Sequence, residues 1–69
     1  MNIDGKKPNQ ATVTLSADEL LLLNNALNEV CNGIAMDDDE FQTRLGADRT
    51  AARKLLAEVG KLLAGFRKN

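Results

Sequence analysis

Between residues 52 and 66, the apolar side chains Ala52, Leu55, Leu56, Val59, Leu62, Leu63 and Phe66 recur at steps of 3, 1, 3, 3, 1 and 3. That spacing is helical and one-sided. A helix built this way carries an apolar stripe that another element must cover. The whole chain has 69 residues, so there is little else to cover it with. Ordering the backbone and side chains costs roughly 1.5 kcal/mol per residue, and burial must offset nearly all of it. The usual aids to small domains are missing. Cys31 is the only cysteine and there is no histidine, so neither a disulfide nor a zinc site is expected. Self-association is the remaining aid.

A second stripe precedes the first. Ser16 followed by Glu19 forms a capping box, and Asp18 and Glu19 suit the positive end of a helix. The pattern predicts a helix from about Ala17 to Asn32, with Gly33 as its stop. Leu20, Leu23, Leu27, Val30, Cys31 and Ile34 share one face, extended by Leu22 and Ala26. Cys31 reads as a small buried hydrophobe. The opposite side carries Asn24, Asn28 and Asn32 at every fourth position, with Asn25, Glu29 and an isolated Leu21. Asparagine is a poor helix former with both donor and acceptor groups. This face is either solvated or a polar contact surface anchored by Leu21.

Asp37 with Glu40 starts a short helix that ends near Leu45 at Gly46. Phe41 and Leu45 are expected to point inward, and Glu40 and Arg44 are spaced for a weak ion pair. Asp48 can cap the last helix. Gly60, inside that helix, is read as the mark of a close crossing. Residues 1–10 read as a flexible tail and residues 11–66 as a single helical domain. Residues 11–15 alternate as a short strand would. With no partner strand expected in the chain, they form an extended lead-in or pair with a second copy. The expected fold is all-α: helix, short helix, long helix.

Net charge is −1, unevenly spread. Residues 37–48 carry −4 and residues 49–69 carry +5. Overall acidity argues against non-specific polyanion binding, while the basic segment leaves a local footprint. No apolar run is long enough to span a membrane, and residues 1–10 lack the apolar core of a signal peptide. A lone thiol fits a reducing compartment, so the chain reads as cytoplasmic. Catalysis finds little support: there is no histidine or tyrosine, and Ser16 is explained as a cap. Asp37, Asp38 and Asp39 are adjacent rather than converging across a cleft, and they lack the spacing of a calcium loop. No cofactor or metal is expected, and the chain reads as non-enzymatic.

The stretch "DDDEFQTRLGADRTAARKLLAE", residues 37–58, resembles the helix-turn-helix of bacterial repressors of the GntR type. Leu45-Gly46 stands at the turn, Ala47 at the small position and Asp48 at the cap. Arg49-Thr50 and Arg53-Lys54 follow. The resemblance implies that Arg49, Thr50, Arg53 and Lys54 face a DNA groove or its phosphates. Asp48 stands where that family has serine, and Gln42 where it has a small alanine. "LLLNNALNEVCNGI" with "EFQTRLG" is also similar to short bacterial proteins of unknown function, and implies no activity.

Two expectations follow. The first is a small protein–protein interaction module, self-associating as a homodimer. It would contact a partner through Leu21, Asn24, Asn25, Asn28 and Glu29 or through the acidic residues Asp37, Asp38 and Asp39. The second is a DNA-binding regulator using residues 49–54.

Overall fold

The computed structural model describes residues 1–33 and 35–67. Strands β1 (Asn2–Lys7) and β2 (Gln10–Thr14) come first. Helix α1 (Ala17–Asn28) follows and runs into a π-helical turn, Glu29–Gly33. Helices α2 (Asp38–Leu45) and α3 (Arg49–Arg67) complete the chain.

The all-α expectation is overturned by the hairpin. β1 and β2 pair antiparallel, from Asn2 opposite Thr14 to Lys7 opposite Gln10, with an irregularity between Ile3 and Gly5. The partner for the predicted strand thus lies inside what reads as a tail. NIDGKK lacks alternation and carries Gly5, so its strand character comes from pairing and not from its own pattern. The link is the two residues Pro8 and Asn9. Among the described residues, Gly46 alone has positive φ. The turn is therefore not one of the mirrored types that fit strand twist best.

The helical starts follow the sequence. The Ser16 hydroxyl accepts from Glu19 N–H at 3.1 Å, and Glu19 reaches back to Ser16 N–H at 2.9 Å. Asp37 caps α2 by accepting from Glu40 N–H at 2.7 Å, and Asp48 caps α3 by accepting from Ala51 N–H at 2.8 Å. Gly46 ends α2 in the left-handed conformation, with φ 77°, which only glycine adopts freely. Gly33 does not act in this way. It closes the π turn without a positive φ. Ile34, expected on the α1 apolar face, lies outside the described residues.

α1 and α3 pack antiparallel. Leu20, at the start of α1, joins Val59 and Leu63, late in α3, with Leu15 and Leu27 against them. At the other end, Arg49 at the start of α3 reaches the carbonyl of Cys31. The seam therefore uses Leu20, Asn24 and Leu27 of α1 against Val59, Gly60 and Leu63 of α3. Leu20, Asn24 and Leu27 step by 4 and 3 residues, so they lie along one line of their helix.

The remaining apolar residues are not all covered. Leu45, Leu55, Leu62 and Phe66, expected in the core, are exposed, and so are Leu22 and Leu23. The molecule is flat, 37 × 34 × 15 Å, and the α1–α3 pair buries the line where its two helices meet while Leu23, Leu55, Leu62 and Phe66 stay outside it.

Candidate functional site

Antiparallel packing sorts the side chains of the α1–α3 layer into two faces. At about 100° per residue, Leu23 lies to one side of the α1 seam. Leu55, Leu62 and Phe66 lie to the same side of the α3 seam, and equal offsets on antiparallel helices fall on one surface. Leu62 is 60% exposed, Phe66 55% and Leu55 52%. These side chains form an apolar flank that the chain leaves exposed. The other face carries Leu21, Asn25 and Asn28 from α1 with Arg53 from α3, all exposed.

The asparagine face expected from the sequence is thereby divided. Asn25, Asn28, Glu29 and Leu21 are exposed, and Asn28 accepts from the Asn32 amide at 2.9 Å. Asn24 instead belongs to the seam, where a Cβ built on Gly60 would sit 3.6 Å from its Oδ1. That is ordinary contact, so Gly60 is not forced by the crossing. Position 24 lies four residues after Leu20 and three before Leu27, which places it between two seam leucines. That spacing was the available signal, and its polarity concealed it.

The acidic residues have separate employments. Asp37 is the α2 cap, Asp38 accepts from Arg49 Nε at 3.2 Å, and Asp39 is exposed. Among the described residues, no group of three or more acids or thiols is placed to hold a metal ion.

Arg49 is the residue whose role the sequence reading did not find. Its side chain is only 17% exposed. It donates to the Cys31 carbonyl at 3.1 Å, to the Met36 carbonyl and to Asp38, and its guanidinium lies 4.6 Å from the centre of the Phe41 ring. The last carbonyls of a helix lack internal partners, and a cation is favoured at that negative end. Arg49 supplies both needs for the π turn while covering Phe41, which is fully buried. Of the four residues expected to face DNA, Arg49 thus has its donors committed within the chain. Thr50, Arg53 and Lys54 are exposed. Arg49, Thr50 and Arg53 share an open hollow with Asp38, Asp39, Gln42 and Asp48, so carboxylates sit among the basic groups there.

At the opposite end, the amino group of Met1 lies 2.6 Å from Glu19 Oε2. This contact, followed by the hydrogen bond from Ser16 N–H, holds the Glu19 carboxyl below its usual range. Among the described residues, neither hairpin strand packs on a helix, and every strand residue is exposed.

Comparison with family models, with curated proteins and with solved structures returns no match. No helix among the described residues is long and apolar enough to cross a membrane.

Proposed function

We propose that this chain is a non-enzymatic protein–protein interaction module that works as a self-associated pair. The face bearing Leu23, Leu55, Leu62 and Phe66 is turned to a second copy. One observation carries the reading. A compact monomer of 7.5 kDa exposes about 4,200 Å², whereas this chain exposes 5552 Å². The excess of about 1,300 Å², to which the exposed hairpin also contributes, is more than the roughly 800 Å² that each partner gives up in an ordinary stable interface. A second copy suits the face because Leu23, Leu55, Leu62 and Phe66 dominate it, while Glu19 and Glu58 lie at its margin, where they can stay in water. The pair leaves Asn25, Asn28, Glu29 and Leu21 uncovered for a further partner, and among the acids Asp39, since Asp37 caps α2 and Asp38 holds Arg49. The lone thiol favours a cytoplasmic setting.

Sedimentation across a wide concentration range tests the reading. A dimer is expected, and Leu62→Asp should weaken it by at least about a hundredfold while leaving the helical content intact, because Leu62 is exposed in the single chain. A strictly monomeric wild type would overturn the proposal. The rival reading is a DNA-binding regulator, favoured by the α2–Gly46–α3 arrangement and by the exposed Arg53 and Lys54. A duplex-DNA shift at about 50 mM salt, lost in an Arg53→Glu variant, would move the assignment there.

A further inference from the structure

The two edges of the hairpin are not alike. The β1 edge carries Asp4, Lys6 and Lys7 and the irregularity between Ile3 and Gly5. Charges, lysine above all, and local bulges are the devices by which sheet edges are closed to further pairing. The β2 edge is Gln10-Ala11-Thr12-Val13-Thr14. It holds no charge, proline or glycine, and two of its five residues are threonine. An isolated two-stranded hairpin is at best marginally stable in water, and this one has no helix beneath it. One edge is guarded, the other is bare, and the element needs more strands than the chain supplies.

We infer that the β2 edge pairs antiparallel with the β2 edge of a second copy, joining two hairpins into one four-stranded sheet. The inference rests on self-association and names a contact distinct from the apolar helical face. The occupant follows from the strand itself. Pairing about a twofold axis at Thr12 sets Ala11 opposite Val13 of the second copy, and Gln10 opposite Thr14. Apolar side chains then meet on one face and polar ones on the other, with no charges opposed. The register also extends an arrangement already present. Ala11, Val13 and Leu15 lie on one side of an extended chain, and Leu15 already packs on Leu20, Val59 and Leu63. The new sheet would present a doubled Ala11–Val13 surface beside the core of each copy, with Ile3, which pairs with Val13, widening it.

Disulfide trapping tests this directly. Residues facing each other across antiparallel strands have Cα atoms about 4.5–5.5 Å apart, within the range a disulfide spans. Thr12 lies on the proposed axis, so Thr12→Cys should give a covalent dimer under mild oxidation. It should do so at least about ten times faster than Ile3→Cys, on the guarded strand. Cys31 is buried and should not contribute. As a second variant, Thr12→Lys brings two ammonium groups together on the axis and should weaken the dimer by at least about tenfold, while Thr12→Ser should not. If wild type sediments as a dimer but Thr12→Cys traps no faster than Ile3→Cys and Thr12→Lys leaves the dimer unchanged, the strand contact is wrong and the helical-face reading stands. A monomeric wild type overturns both.

Discussion

The two ends of this molecule close in different ways. At one end, the π turn, α2 and the start of α3 meet around Phe41 and Cys31, which are both buried, and Arg49 saturates the carbonyls left over. At the other, the hairpin and the apolar flank of α1 and α3 lie open. Both ends draw on a similar supply of apolar residues. What separates them is that the corner brings three elements together in a short stretch of chain, so one side chain can be covered from several directions. The hairpin end has two strands and the α1–α3 pair, which buries Leu20, Val59 and Leu63 along its seam and leaves its flanks open. The corner therefore needs no partner, and the open end is the part of the surface that association can complete.

The largest effect that would break this contrast is at Phe41. Phe41→Ala removes the one large side chain that is fully buried among the described residues and should cost about 3–5 kcal/mol, enough to unfold a small domain under ordinary conditions. Ile3→Ala, measured by urea unfolding at a concentration where the chain is monomeric, should cost less than about 0.5 kcal/mol. Equal costs at the two sites would mean that the ends do not differ as described.

Arg49→Lys sharpens the comparison at the next level. Lysine keeps the positive charge but offers a point donor in place of a planar fork. It cannot bond the Cys31 and Met36 carbonyls and Asp38 at once while lying flat over Phe41. Hydrogen bonds from charged donors are worth about 1.5–3 kcal/mol, so the variant should lose about 2 kcal/mol in urea unfolding. Stability within about 0.5 kcal/mol of wild type would show that charge alone matters there, as a repressor-like reading of residue 49 would have it.

What the sequence conveys differs between the two ends for a physical reason. Helix starts are written in side chains that touch the backbone three residues away, so Ser16 with Glu19, Asp37 and Asp48 could be read one at a time. Gly46 was legible because a left-handed residue after a helix is nearly always glycine. The seam was legible as a period, though not its width: Val59 and Leu63 are buried while Leu55 and Leu62, on the same stripe, are not. Periodicity reports that a face is apolar and not whether a second layer exists. β1 was missed because its partner lies across a turn and its own residues are poor strand formers. The work of Arg49 was missed because two of its partners are backbone carbonyls, which any residue supplies and no motif records. Its basic neighbours made it look like a DNA contact, and nothing in the chain's letters marks the π turn it closes.

The smallest effect concerns the polar link between the ends of β1 and α1. The Met1 amino group, and then Ser16 N–H, hold the folded Glu19 carboxyl below 4.5, its value free of such contacts. A carboxyl whose folded value is depressed stabilises the fold above its unfolded value, and that contribution fades as pH falls through the folded one. Wild type should therefore lose this increment in the window below about pH 4.5. Glu19→Gln has no charge to lose at this position. The gap between the two in urea midpoint should be steady from pH 7 down to about pH 5.5, then narrow as the solution is acidified further. A gap that stays constant to about pH 3 would show that Glu19 acts only as a neutral cap on Ser16. The hairpin would then be tethered to the helices by the covalent chain and Leu15 alone, which would leave the strand pair still more dependent on whatever covers it.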